Sequence, residues 1–406
     1  MLSVKPHRNF PKILIIIVCV LILGLPAAYF WWKNSQTVTN KNVQIVKEIV
    51  KKPAPKSFSS NVLFLGNTFW GRYINDWSLA SSFKYSYPFS RLNEFNRNQY
   101  DAWISGLECP TVAGVDMTSA QQEAALQFNC SPNYLPEAAK WFTAFTLANN
   151  HTDNQGADGF TETKQQLEKN GIQYFGNYDY KSVDDACEVI DLPVTVANDD
   201  KTTTKGDLPV AICAYHGVFG IPPAEAVAEI AKYSPYMPVI AMPHMGAEYK
   251  SSPDEIKSGF YRSLIDNGAD MVLGDHPHWI QNTESYKGHL IAYSMGNFMF
   301  DQQDTPEVVR SAGIKVVMNL GKSDDTNLKK WLELGKGCSK FKDSCLASAK
   351  RQQLSKLSIT YKFGVVGTND SDKIVKPASP EQQNSILQRL NWQSTMNSLQ
   401  APYSSL

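Results

Sequence analysis

A series of short apolar runs, each halting at glycine or a cluster of small polar residues, most constrains what this chain can fold into. Asn61–Leu65 stops at Gly66–Asn67–Thr68. Tyr100–Ile104 stops at Ser105–Gly106–Leu107–Glu108, and Phe142–Leu147 at Ala148–Asn149–Asn150–His151. Pro238–Met242 leads into Pro243–His244–Met245–Gly246–Ala247–Glu248–Tyr249. Met271–Leu273 ends in Gly274–Asp275–His276–Pro277–His278, and Leu290–Tyr293 in Ser294–Met295–Gly296–Asn297. Runs this short and apolar read as buried strands, and the turns at their ends carry the polar side chains. Helical segments lie between them. Phe160–Asn170 has Asp158 placed to cap it and Gly171 to end it, and Pro223–Lys232 follows. Ser252–Asn267 has Ser252 as its expected cap, Pro253 in its first turn and Asp254/Glu255 at the positive end of its dipole. Such alternation predicts an α/β fold, with chemistry at the strand ends. Ile172–Phe175, Leu208–Tyr215, Ile314–Leu320 and Leu357–Val365 read as further strands, and Ser379–Leu399 as a C-terminal helix.

The chain opens differently. Ile13–Trp32 is an uncharged apolar segment of about 20 residues, the length that spans a bilayer. Lys5, Arg8 and Lys12 precede it, which predicts a cytoplasmic N-terminus over residues 1–12 and an exported remainder. Tyr29, Phe30, Trp31 and Trp32 suit the outer interface. A signal peptide cut after Ala27–Ala28 is the alternative, although the apolar run is long and an A-x-A site is missing. Residues 33–59 are polar and Lys-rich and read as a stalk. The expected globular domain spans 60–380, with a polar Cys-containing insertion at about 321–355 and a tail over 381–406. Six cysteines follow the apolar segment: Cys109, Cys130, Cys187, Cys213, Cys338 and Cys345. Export permits disulfides, and Cys338–Cys345 is the easiest local pair, but six cysteines can pair in 15 ways and buried free thiols are an alternative. No C-x-x-C occurs, and the formal net charge is zero, so neither a zinc ribbon nor a nucleic-acid surface is indicated.

The strand ends hold four of the seven histidines. Asn67, Glu108, Asn150, His151, His244, His276 and His278 form a candidate metal set, because imidazole, carboxylate and amide oxygen suit Mn, Zn or Fe. One or two such ions would activate water and clamp an oxyanion. His151, His276 and His278 are also candidates for a direct catalytic part, one of them as a general acid. Asp275, Glu248 and Asn297 are expected to stand behind the ligands and orient them. For each histidine the plain alternative is a hydrogen-bonded loop residue. His216 and His7 read as unrelated, and His289 as an ordinary hairpin residue.

Taken in order, these motifs resemble the CapA family of poly-γ-glutamate (capsule) biosynthesis proteins, across roughly 61–301 and more weakly to about 380. The strongest pieces are ANNHTDNQGADGF (148–160) and GADMVLGDHPHWIQNTESY…IAYSMGNFMFD (268–301). The resemblance implies a metallophosphatase-like sandwich of mixed sheets flanked by helices, here with one N-terminal transmembrane helix. There are departures. Gly66–Asn67 stands where the family usually has Gly-Asp, Gly106–Leu107–Glu108 replaces Asn-Leu-Glu, and His244–Met245–Gly246 replaces His-Trp-Gly. A neutral amide for a carboxylate, and a missing asparagine, weaken cation binding.

The apolar segment predicts a membrane-anchored protein with its C-terminal domain outside the cytoplasm, and the resemblance implies that it acts in poly-γ-glutamate or capsule synthesis or export. Its expected partners are polyglutamate or another anionic envelope polymer, a membrane synthase or export complex, and the lipid bilayer. A phosphoesterase-like, metal-dependent hydrolase is one reading. A non-catalytic polymer-binding partner with an eroded metal site is the other.

Overall fold

The computed structural model describes residues 32–33, 53–320 and 325–406. The expected membrane segment Ile13–Trp32, apart from Trp32, lies outside them, as do residues 34–52 of the expected stalk. Among the described residues, no helix is long and apolar enough to cross a membrane.

One strand organises the rest. β1 (Pro55–Thr68) begins inside the segment expected as stalk and pairs on every side. Parallel to it run β2 (Ala102–Leu107), then β3 (Ala144–Thr146) and β4 (Gln173–Phe175). The N-terminal half of β1 instead pairs antiparallel with β5 (Cys187–Asn198), which continues into β6 (Thr203–Gly217), β7 (Val239–Met245) and β8 (Met271–Leu273). β9 (Thr283–Tyr286) and β10 (His289–Ala292) form an edge hairpin, placing His289 as expected. β11 (Asn297–Met299) pairs parallel with the end of β1. β12 (Arg310–Leu320) and β13 (Ile359–Asn369) extend the other side, finished by β14 (Lys376–Pro377) and β15 (Tyr403–Ser405). The result is a mixed α/β sheet flanked by helices.

Strand alternation explains why β1 can serve two cores. Successive side chains point to opposite faces. Val62 and Phe64 join Ile104, Val210 and Ile240 in one apolar cluster. Leu63 and Leu65 join Trp103, Phe145 and Phe298 in the other. β1 is therefore buried on both faces, like β2, and both read as continuous apolar runs.

Several boundaries differ from the sequence reading. Cys187–Asn198 is a strand without an uninterrupted apolar run, because Asp191 and Pro193 fall within it. The expected polar insertion folds as two helices, Asp325–Cys338 and Lys342–Arg351. Leu328 and Trp331, three apart on one helix face, are both in the core, and Trp331 Nε1 donates to Ser355 O at 2.9 Å. The C-terminal helix is two, Pro380–Arg389 and Trp392–Asn397, broken where Asn391 turns left-handed at φ 53°. The helix before the His-Pro-His stretch is Glu255–Asp266. Its cap is Asp254, whose side chain accepts from Lys257 N, and not Ser252. The six cysteines form Cys109–Cys130, Cys187–Cys213 and Cys338–Cys345.

Trp331→Ala should destabilise the protein by about 3–5 kcal/mol, because it removes a large core side chain. Urea unfolding of the variant checks this, and a change below about 1 kcal/mol would show the 325–338 helix to be a dispensable insertion.

Candidate metal centre

The strand ends converge at one edge of the sheet. Glu108 follows β2 and its N–H donates to Thr68 O at 3.0 Å, which ties it to the end of β1. His244 lies near the end of β7 and bridges to Asp275 just beyond β8. His276 and His278 follow in left-handed backbone, at φ 96° and 59°. Such conformations are costly for residues other than glycine and persist where surrounding contacts enforce them.

Glu108, His244 and His276 are buried and offer ligand atoms that all lie within 4.8 Å of one another. His276 Nδ1 is 3.1 Å from His244 Nε2, and Asn150 Oδ1 is 2.9 Å from the same nitrogen. Both oxygens of Glu108 are buried without a hydrogen-bond partner. Burial drives the Glu108 carboxyl well above the usual carboxylate range, with the charges of Asp275 and Glu248 pushing the same way and Arg72 opposing. Burial also holds His244 and His276 well below an ordinary imidazole, and neighbouring histidines add to this. Neutral imidazoles, an amide oxygen and an unpartnered carboxylate fit a divalent cation.

His278 forms the adjoining wall. Its Nδ1 meets Asn297 Oδ1 at 2.8 Å, while Asn297 Nδ2 donates to Gln302 Oε1 at 3.0 Å. Asn67 Nδ2 lies 3.3 Å from the same Nδ1, and the shorter Asn297 contact favours a proton on Nδ1, which leaves Nε2 as an acceptor. Nε2 lies 3.8 Å from Glu108 Oε1 and 3.9 Å from Glu248 Oε1. Asn67 Nδ2 also donates to Asn297 Oδ1, at 3.3 Å, and Asn67 Oδ1 is buried without a partner. A Cβ on Gly66 would fall 1.8 Å from Gly296 O, so only glycine lets these two turns meet and set Asn67 opposite Asn297. Burial lowers His278 to about 4. Tyr249 stacks on its ring at a 5.6 Å centroid distance, and Glu248, whose side chain is 41 % exposed, stands at the mouth.

His151 stands apart from the Glu108 group. Its Nδ1 pairs with Asn154 Oδ1 at 2.9 Å and its ring packs on Phe128 at 4.1 Å, and burial lowers it to about 4. Asn149 works as a brace: its amide donates to Leu107 O at 2.8 Å and its carbonyl accepts from His151 N and Thr152 N. Asp275 is buried with both oxygens unpartnered, and burial raises its carboxyl. A Cβ on Gly106 would lie 3.5 Å from Thr146 Cγ2 and 3.7 Å from Asp275 Oδ2, ordinary contact distances, so the first carbon of a side chain is accommodated there.

Two residues escape the sequence reading. His216, set aside as unrelated, lies directly across from His244 in the β6–β7 register. Its Nδ1 is 2.5 Å from Tyr178 O and its Nε2 is buried without a partner. It ends the run Leu208–Tyr215 just as His244 ends Pro238–Met242, which is the signal that could have found it. Arg72, whose charge acts on Glu108, His151 and His278, is the other.

Residues 61–302 match the family model described as bacterial capsule synthesis protein PGA_cap, a span that holds every residue of this centre. The chain is 28% identical over 301 residues to "PGA biosynthesis protein CapA" of Bacillus subtilis (strain 168), covering 66% of this chain and 75% of that protein. It is 24% identical over 246 residues to "Capsule biosynthesis protein CapA" of Bacillus anthracis, covering 59% of each.

Behind the centre, Lys257 is fully buried against Gly246, and its Nζ donates to Gln281 Oε1 at 2.9 Å. Burial lowers its amine to about 7, against the opposing pull of Asp275 and Asp254. Between pH 7 and the ordinary lysine value the unfolded chain binds a proton that the folded chain does not, so stability rises with pH across that window. The stability of wild type relative to Lys257→Met should therefore rise by about 1–3 kcal/mol from pH 7 to pH 9. Urea titrations at the two pH values measure it, and a pH-independent difference would refute the buried-amine account.

Proposed function

The chain belongs to the bacterial capsule synthesis protein family, and on that premise we propose that it acts in poly-γ-glutamate synthesis or export outside the cytoplasm, through a divalent-cation centre at Glu108, His244 and His276. The observation that carries this reading is the buried Glu108 carboxyl, with both oxygens unpartnered, beside two imidazole nitrogens 3.1 Å apart. A bound Mn, Zn or Fe ion would supply Lewis acidity toward a substrate oxygen and acidify a water. Asn297 holds the Nδ1 proton of His278 and so aims its Nε2 lone pair inward. Asn150 presents its carbonyl to His244 from the opposite strand end. Glu248, half-exposed at the mouth and raised by burial, is placed to exchange a proton with solvent. His151 is the remaining candidate for a general acid.

Anchoring by Ile13–Trp32, with residues from about 60 outside the membrane, completes the proposal, and a membrane synthase or export complex is the partner. Three disulfides across all six cysteines after the apolar segment suit an oxidising compartment. A second reading has the domain hold the polymer without cutting it. Asn67 favours it, since its amide offers a neutral oxygen where the family resemblance leads one to expect a carboxylate, and so does Gly106, which offers no side chain.

Metal analysis of the full chain, purified in detergent without added metal, separates the two. The hydrolase reading expects near-stoichiometric Mn, Zn or Fe and cleavage of a phosphodiester or γ-glutamyl substrate. Both should be lost in His276→Ala and Glu108→Gln. A metal-free chain that still binds polyglutamate would leave the holding role alone standing.

A further inference from the structure

The centre is rich in metal donors, and one group beside it has the opposite character. Arg72, the first residue of the helix Arg72–Ala80, takes a left-handed backbone at φ 38°. Its Nε donates to Asp301 Oδ2 at 2.9 Å and its Nη2 to Asp301 Oδ1 at 2.5 Å. Asp301 Oδ2 also accepts from Tyr73 N at 3.4 Å, which fixes the helix start to the segment after β11. Nη1 has no hydrogen-bond partner among the described residues, and 9 % of the side chain stays exposed.

The rings around this guanidinium locate it. Its Cζ lies 4.3 Å from the Phe128 centroid, and Phe128 is the ring on which His151 packs. It lies 5.9 Å from the centroid of Phe300, which makes an edge contact with His278 at 5.0 Å. Arg72 therefore occupies the gap between the aromatic supports of two histidines at the candidate centre. One edge of its fork is fixed on Asp301, and the other is left for an acceptor.

We infer that Arg72 is the anion-binding residue of this centre, and that its free edge takes the α-carboxylate of a γ-linked glutamyl unit. The inference rests on the polymer reading above and names the group that reading would recognise. In a γ-linked chain every unit keeps a free α-carboxylate, while its amide carbonyl lies several bonds away. A guanidinium on one side and a cation centre on the other would hold these two parts of one unit separately. Bidentate pairing with Asp301 and the aromatic cage fix the guanidinium plane, so little rotamer freedom remains to be lost on binding.

Binding of poly-γ-glutamate oligomers to the full detergent-solubilised chain tests this. Arg72→Gln should weaken binding by about tenfold or more, the usual effect of losing a charge-assisted hydrogen bond, with metal content unchanged. Arg72→Lys keeps the charge without the fork and should fall between the two. Oligomers with methyl-esterified α-carboxylates should bind wild type and Arg72→Gln equally weakly. Removal of Arg72 leaves Asp301 buried and alone, so Arg72→Gln/Asp301→Asn removes both charges and keeps the test readable if the single variant unfolds. Asp301→Asn by itself should cost far less affinity than Arg72→Gln. If the pair serves only to lock the helix, the two single variants will lose stability alike while the folded protein keeps wild-type affinity, and that result overturns the assignment. Inorganic phosphate that displaces the oligomer where acetate at equal concentration does not would overturn the carboxylate class. Wild type that binds no oligomer fails the polymer reading itself, whereas equal binding by wild type and Arg72→Gln fails only the role of Arg72.

Discussion

A carboxyl group sealed from water without a hydrogen bond is costly to fold around, and it is costliest when ionised. Glu108 is in that position, and Asp275 close by is too. Their cost explains much of the surrounding arrangement. The imidazoles of His244, His276 and His278 are held neutral by burial, so their lone pairs stay available. Asn297 fixes the ring of His278 without adding charge, and Asn150 sets an amide oxygen 2.9 Å from His244 Nε2. Unpartnered acceptors are thus concentrated in one small volume, and a cation is the species that would relieve them together.

That concentration depends on β1. Its C-terminal half runs parallel to β2 and β11, and its N-terminal half turns the chain toward β5 and, through β6 and β7, toward β8. Ends of strands far apart in sequence therefore arrive at one edge. Disulfide Cys187–Cys213 joins β5 to β6 inside the first apolar cluster, and Cys109–Cys130 joins the segment after Glu108 to the loop bearing Phe128 within the second.

Much of this was legible in the sequence because parallel strands buried on both faces leave uninterrupted apolar runs. Asn61–Leu65, Met271–Leu273 and Leu290–Tyr293 showed themselves in this way, and the polar residues where they stop are the ones the fold gathers. β5 escaped because Asp191 and Pro193 fall within it and its half-buried positions alternate with buried ones. The helix 325–338 looked polar because its core face is carried by few residues, Leu328 and Trp331 among them. Arg72 was hidden for another reason. Its partner Asp301 is 229 residues away, and nothing local marks an arginine whose meaning comes from a long-range pair. His216 was visible as a strand end but lacked the glutamate and glycine pattern that drew attention to His244.

The backbone around Pro277 carries one more consequence. His276 and His278 both sit at positive φ, where β-branched and bulky apolar side chains are strongly disfavoured, glycine is tolerated best, and asparagine and aspartate follow among residues with a side chain. Replacements that leave the loop intact are therefore drawn mostly from glycine and from small polar residues that themselves offer oxygen or nitrogen donors. Drift at these two positions would remove or exchange polar groups more readily than it would turn the cleft greasy. Conformational restriction, and not only selection for activity, would keep the cleft polar through long divergence.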